Sequence, residues 1–242
     1  MFQFIKNLMK NKESISSNEI NTFHRILNSD IKKEPNSQED EIIFGCGCFW
    51  GAEKCFWKLP GVVTTSVGYA GGDKKNPTYH EVCSGITGHA EVVRVVWDVN
   101  EIDISDLLKM FWECHNPTQR NRQGNDMGTQ YRSTIYYTNE RNKKIIYSSK
   151  EAYQRELNVN NLGLIETEIK MIDTYYYAEK YHQQYLAIEG SRQYCSASPT
   201  KVKLRSFKGS NYKLSKEIWE YFNWDVDKCV LISDNNPLKI NN

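Results

Sequence analysis

The chain has 242 residues and a net charge of +1, from 31 basic and 30 acidic side chains spread along its length. That balance excludes a general polyanion-binding role, so neither nucleic acid nor an acidic membrane surface is an expected partner. No apolar run approaches the roughly 20 residues needed to cross a bilayer, and residues 1–12 lack the apolar centre of a signal peptide, so a cytoplasmic monomer is expected.

Residues 1–40 read as a polar leader. Lys6, Lys10 and Lys12 precede the first acid, Glu13, which gives a faint likeness to an organellar targeting segment, although no arginine occurs before Arg25. Phe23, Ile26 and Leu27 predict one or two turns of helix. Residues 41–45 then read as a buried strand and 49–59 as a helix ended by Pro60-Gly61, with Cys48, Ala52, Cys55, Phe56 and Leu59 at helical spacing. Residues 62–69 form a second strand, Gly71-Gly72-Asp73 a turn, and the valine-rich stretch 89–97 a third strand. Ser105 is placed to cap a helix that carries Leu107, Leu108, Phe111 and Trp112 inward and stops before Pro117.

The following loop, 117–130, spans about fourteen residues, longer than compact domains usually leave without a purpose. Strand 131–137, helix 140–157, strand 164–175 and helix 178–188 complete the order β-α-β-β-α-β-α-β-α. Such an order predicts an α+β fold, helices packed on a mixed β-sheet in a two-layer sandwich related to the split β-α-β, ferredoxin-like design. Beyond residue 205 the pattern thins to one short helix, 215–222, so 41–205 is the expected catalytic domain and 206–242 a C-terminal extension.

Seven cysteines, at 46, 48, 55, 83, 114, 195 and 229, form an odd and irregular set, unlike a secreted disulfide framework. Cys48 stands between a strand and a helix start, where unpaired backbone N–H groups and the helix dipole favour a thiolate. Its neighbours Phe49 and Trp50 can form an aromatic cup for a thioether-like chain. Cys46 and Cys55 read as packing residues, Cys83 and Cys114 as core or bystander thiols. A zinc site from Cys46, Cys48 and Cys55 lacks an evident fourth ligand.

Seven segments follow in order: Gly47-Cys48-Phe49-Trp50-Gly51, Gly68-Tyr69-Ala70-Gly71-Gly72, Pro77-Thr78-Tyr79, Gly88-His89-Ala90-Glu91-Val92-Val93, Gly124-Asn125-Asp126, Gly128-Thr129-Gln130-Tyr131-Arg132-Ser133 and Tyr181-His182-Gln183-Gln184-Tyr185-Leu186. Together they closely resemble the class A peptide methionine sulfoxide reductases. The resemblance implies attack by a Cys48 thiolate on the sulfur of an S-epimer methionine sulfoxide, leaving a sulfenic acid, with repair of oxidised proteins as the biological role. It also implies that Phe49 and Trp50 line the methyl pocket while Glu91, Tyr79, Asp126 and Tyr131 surround the sulfoxide oxygen.

The residues fit that chemistry. Strand alternation puts Glu91 on the side of Val93, Val95 and Trp97 and turns Arg94 away, so desolvation should hold the carboxyl protonated for use as an acid. Tyr79 and Tyr131 can donate to the oxygen, and Asp126 can orient a water or a neighbouring group. His182 reads as a structural hydrogen-bonding residue rather than a catalyst. Cys195, in a segment expected to be mobile, is the candidate that resolves the sulfenic acid into a disulfide for thioredoxin, or dithiothreitol in vitro, to reduce. Many members of the family carry a glycine-rich stretch with a second recycling cysteine nearby; this chain departs from that, and Cys229 is the remaining candidate. No bound cofactor or metal is expected. Two other classes fit Cys48 less well: an acyl hydrolase using His80, His89 or His182, and a metal- or partner-binding module.

Overall fold

The computed structural model describes residues 22–226 and 229–239. Residues 1–12, with their faint targeting likeness, lie outside that range. Eight strands are present among the described residues: β1 (Glu39–Cys46), β2 (Val62–Ala70), β3 (Ala90–Asp98), β4 (Arg122–Gln123), β5 (Asp126–Met127), β6 (Ser133–Tyr137), β7 (Glu168–Met171) and β8 (Tyr175–Tyr177). The helices are α1 (Phe49–Trp57), α2 (Tyr79–Cys83), α3 (Ile104–Cys114), α4 (Lys143–Val159), α5 (Lys216–Tyr221) and α6 (Cys229–Ile232).

Six strands make one mixed sheet in the order β7-β6-β1-β3-β2-β8, and β4-β5 is a separate small hairpin. Only β6 and β7 pair in parallel; the other pairings of the large sheet are antiparallel. Strand alternation sorts the faces. Ile42, Phe44, Val67, Tyr69, Val93, Val95, Trp97, Ile135 and Tyr137 join the main core with α1, α3 and α4, whereas Ile43, Ala70, Ala90, Val92 and Tyr136 form a smaller cluster on the other side. Arg94 belongs to that second face, where Glu41 pairs with it at 2.7 Å and the Ile31 and Lys33 carbonyls accept from it. Helices on one face of a mixed sheet make the expected α+β architecture.

The cap of helix α3 lies two residues before Ser105. Asp103 is its cap, accepting from the Ser105 amide at 2.9 Å, while Asp106 accepts from the Asp103 amide, so the two carboxylates satisfy the helix start reciprocally. Three other expectations are corrected. Residues 178–188 form two isolated turns, Lys180–His182 and Tyr185–Ala187, because Gln184 between them takes a left-handed φ of 47° that an α-helix cannot include. The expected strand 164–175 is cut into β7 and the separate β8, on opposite edges of the sheet. Around Phe23 the chain makes a turn closed by a Phe23–Asp30 bridge instead of a helix. Three elements went unforeseen: the β4–β5 hairpin inside the long loop, the short α6, and α2, whose Thr78 and Glu81 form a capping box.

Residues past 205 are not a loose appendage. Phe207, Leu214, Ile218, Phe222, Trp224 and Val230 are buried in the main core cluster. Backbone carbonyls of the same region cover α1, accepting from Lys54 Nζ (Ser233, 2.7 Å) and Trp57 Nε1 (Asn235, 3.1 Å), and Asp234 pairs with the buried Lys58 at 3.2 Å. None of the described helices is long and apolar enough to cross a membrane. Phe222, 3% exposed and stacked on Trp224, should therefore behave as a core side chain. Phe222→Ala is expected to lower the unfolding free energy by about 3 kcal/mol or more; a loss under about 1 kcal/mol in a urea titration would show that this region is not part of the cooperative unit.

Candidate active site

The site is built where β1 turns into α1. Gly47 makes that turn at φ +89°, a conformation that L side chains rarely adopt, and a Cβ there would sit 2.5 Å from Gln123 Cβ. Cys48 follows as the residue that caps α1, half-buried and with no side-chain cap hydrogen bond. The helix start alone favours a thiolate, yet the thiol is pushed well above its ordinary value. Burial is the largest cause and the Glu91 carboxylate the next; the Trp50 amide opposes both. Position at a helix start is thus outweighed by enclosure, and the ionisation of Cys48 depends on the state of Glu91.

Glu91 is the second residue of β3, in the centre of the sheet and paired with Tyr69 of β2. It is 1% exposed, and its Oε2 accepts from the Phe49 backbone N–H at 3.1 Å. That amide is one of the orphan donors of the α1 start, so the carboxyl is pinned beside the nucleophile by the helix's own unmet need. Burial raises the carboxyl from 4.5 to about 8 against the pull of the Phe49 amide, and nearby Asp126 adds to the rise. At neutral pH Glu91 is therefore mostly a carboxylic acid, with a proton to give.

Aromatic rings enclose the space above this pair. Trp50 stacks on Tyr185 at 3.8 Å between ring centres, and its indole N–H donates to His182 Nδ1 at 3.1 Å. Phe49 lies 5.1 Å from the His182 ring and Tyr79 4.4 Å from it. Glu179 accepts from the Tyr69 hydroxyl (2.8 Å) and from the Tyr79 backbone N–H (2.9 Å), which fixes the start of α2 against β2. Buried Glu53 of α1 holds the other wall by accepting from the Gln184 amide and side chain. The phenols of Tyr79 and Tyr131 are raised by burial and then by Glu91, so both remain protonated donors. Asp126, on β5, accepts from the Tyr194 hydroxyl at 2.5 Å and influences Glu91, Tyr131 and Cys48.

His182 is held near 4 by burial, with Glu179 opposing, so it is neutral at pH 7 and its Nδ1 serves to orient Trp50. His89 is likewise engaged, accepting from the Gly72 amide at Nδ1 and meeting the Lys74 carbonyl at Nε2. Burial, the Glu91 and Asp126 carboxylates and a neighbouring thiol raise Cys48, and His182 and His89 are engaged elsewhere, so neither histidine supports the hydrolase reading.

That thiol belongs to Cys195, which is 3% exposed. Its sulfur packs so close to the first turn of α1 that a Cβ on Gly51 would lie 2.6 Å from it. Gly124 permits a similar approach by the next residue, since a Cβ there would meet the Ser196 carbonyl oxygen at 2.2 Å. The segment expected to be mobile is instead packed against α1 and the β4–β5 hairpin, because two glycines leave it room. Cys229 opens α6, and its side chain lies outside what is described.

All of Phe49, Trp50, Tyr79, Glu91, Asp126, Tyr131 and Cys195 therefore gather around Cys48. Sequence reasoning missed Glu179 and Tyr194. Tyr194 stands next to Cys195 in a segment already singled out, but nothing in the sequence pairs Glu179 with Tyr79 and Tyr69, 100 and 110 positions earlier. Among the described residues the one set of metal-type ligands within 4.8 Å of one another is Cys46, Cys114 and His115, all buried, rather than the Cys46, Cys48 and Cys55 set. Both ring nitrogens of His115 are occupied, by the Phe111 carbonyl and by Ser133 Oγ.

Comparison with known proteins agrees with this geometry. The family model for peptide methionine sulfoxide reductase matches residues 40–214. The chain is 51% identical over 183 residues to the peptide methionine sulfoxide reductase MsrA of Vibrio cholerae serotype O1, covering 76% of this chain and 86% of that protein. To the MsrA of Pseudomonas putida (strain W619) it is 56% identical over 163 residues, 67% of this chain and 73% of the other. Among solved structures, methionine sulfoxide reductase A of Corynebacterium diphtheriae matches with a TM-score of 0.64 at 39% identity, covering 81% of this chain and 96% of that one. Mxr1 from Saccharomyces cerevisiae in reduced form gives 0.63 at 34% identity, with 72% and 96% covered. The chain belongs to the peptide methionine sulfoxide reductase family, the MsrA oxidoreductases that act on the sulfoxide of methionine.

Proposed function

We propose that this chain reduces the S-epimer of methionine sulfoxide, in oxidised proteins and peptides and as the free amino acid, with Cys48 as nucleophile and thioredoxin as the final reductant. The observation that carries the reading is the buried Glu91 carboxyl, held at about 8 and hydrogen-bonded to the amide that follows Cys48. A sulfoxide oxygen leaves poorly until it is protonated, so the reaction needs an acid that survives neutral pH. Glu91 is such an acid, within the same enclosure as the sulfur.

The substrate methyl group sits against Phe49 and Trp50, where sulfur and aromatic rings attract. Cys48 sulfur attacks the sulfoxide sulfur as Glu91 gives its proton to the oxygen, and the phenols of Tyr79 and Tyr131 stabilise the charge that builds there. Methionine leaves with two electrons gained, and the oxygen remains on Cys48 as a sulfenic acid. Cys195 then attacks Cys48 sulfur, a Cys48–Cys195 disulfide forms, and water departs. A dithiol such as thioredoxin exchanges with that disulfide and restores both thiols. Burial of Cys195 implies that this last step displaces the segment around it, and Cys229 is a candidate second relay for the exchange.

Three outcomes test the scheme. Mixing the protein with separated S- and R-epimers of a blocked methionine sulfoxide should consume the S-epimer alone, with dithiothreitol and with thioredoxin; no S-epimer reduction would reject the reading. Cys48→Ser should abolish reduction with either reductant, whereas Cys195→Ser should still release one methionine per chain but lose thioredoxin-supported turnover. For Glu91→Gln, sulfenic acid formation should slow by about 100-fold or more, the usual range for a lost general acid. In the wild type that step should decline as pH rises through about 8, where Glu91 loses its proton, and the glutamine variant should lack the decline. An unaltered rate in Glu91→Gln would dismiss the acid role.

The same carboxyl has a signature in stability. Its value is raised from 4.5 to about 8 on folding, so the stabilisation it gives is full below 4.5 and is lost as pH rises through about 8. Glu91→Gln stays neutral and should flatten that loss, read as a smaller drop in melting temperature between about pH 6 and about pH 9.

A further inference from the structure

Directly beneath the active site lies a second group of thiols that the reduction scheme does not use. Cys46, Cys55 and Cys114 are 4%, 3% and 2% exposed and share one core cluster with Cys195. The Cys114 thiol donates to the Phe111 carbonyl at 3.6 Å, and Cys46 and Cys114 each feel the charge state of Cys195. The Cys46 and Cys114 sulfurs and a ring nitrogen of His115 lie within 4.8 Å of one another, so closing a disulfide of about 2 Å asks for a movement of roughly 3 Å at most. A chain of sulfurs thus runs from Cys48 through Cys195 to Cys46 and Cys114.

We propose that Cys46 and Cys114 are an internal electron reserve, taking over the disulfide from Cys48 and Cys195 so that one reduced chain repairs two sulfoxides before any external dithiol arrives. This rests on Cys48 and Cys195 acting as described above. In the first exchange the Cys46 sulfur attacks Cys195 sulfur; a Cys46–Cys195 bond forms, the Cys48–Cys195 bond breaks, and the proton lost by Cys46 ends on Cys48. In the second, Cys114 attacks Cys46 sulfur, and the proton of Cys114 passes to the released Cys195. The result is a Cys46–Cys114 disulfide with Cys48 and Cys195 again as thiols, and the oxidant throughout is the methionine sulfoxide already consumed.

The test is a count. Fully reduced full-length protein is mixed with excess blocked methionine S-sulfoxide and no reductant, methionine is quantified per chain, and disulfides are mapped by peptide mass spectrometry after thiol blocking. Two methionines and a Cys46–Cys114 peptide are expected in the wild type and in Cys229→Ser, and one methionine in the Cys46→Ala/Cys114→Ala double variant, with circular dichroism reporting its fold. One methionine from the wild type, with Cys48–Cys195 as its sole disulfide, would overturn the reserve while leaving the catalytic scheme intact. No methionine at all would overturn both. A second methionine that vanishes in Cys229→Ser and persists in the double variant would assign the relay to Cys229 instead. The wild-type disulfide map decides the matter even if the double variant does not fold.

Discussion

The hydrogen bond from the Phe49 backbone amide to Glu91 joins the start of helix α1 to the central strand β3, and most of the site follows from it. A helix start exposes amides that need acceptors, and a buried carboxyl needs donors. Each supplies what the other lacks. Because the donor is a neutral backbone group rather than a cation, it offsets only part of the desolvation, and the carboxyl stays high enough to keep its proton near neutral pH. A lysine or arginine in the same place would have satisfied Glu91 equally well and removed its usefulness as an acid.

The remainder of the fold protects that balance. Arg94, the cation nearest in sequence, is held on the other face of the sheet by Glu41. His182 is kept neutral and occupied with Trp50, so no positive charge enters from the aromatic wall. Asp126 raises Glu91 further while its own contact with Tyr194 ties the hairpin to the segment that carries Cys195. Cys48 accepts a cost from the same arrangement, since the Glu91 carboxyl also raises the thiol when ionised. The ionisations of Glu91 and Cys48 are therefore tuned as a pair, and neither can be described alone.

Glycine sets the distances in this design. Gly47 turns the chain so that Cys48 reaches the head of α1, and Gly51 leaves the space that Cys195 sulfur fills. With Cys46 at the end of β1 and Cys114 at the end of α3 behind them, sulfur atoms from four elements of the chain converge under one helix start. The core is thus a packed interior and, by the inference above, a store of reducing equivalents.

Ordered motifs and strand alternation were enough to determine the α+β class and the face of β3 that carries Glu91, and to nominate Cys48 and Cys195 for the roles proposed above, because those depend on local pattern and on residue chemistry. Period-two alternation does not depend on context, and neither does the turn forced by Gly47. Tertiary structure decided what the sequence could not. The helix dipole argued for a lowered Cys48 thiol, but burial and Glu91 raise it, and burial is a property of the whole packing. Gln184, in a left-handed conformation and held by Glu53, breaks the helix expected over 178–188, which no periodicity reveals. The Cys195 segment is packed because Gly51 and Gly124, distant in sequence, both make room for it. Beyond residue 205 the periodic pattern thins to one short helix, so the region read as an extension, yet its side chains Phe207, Leu214, Ile218, Phe222, Trp224 and Val230 lie in the main core. What local pattern can specify was legible, and what depends on residues far apart in the chain was not.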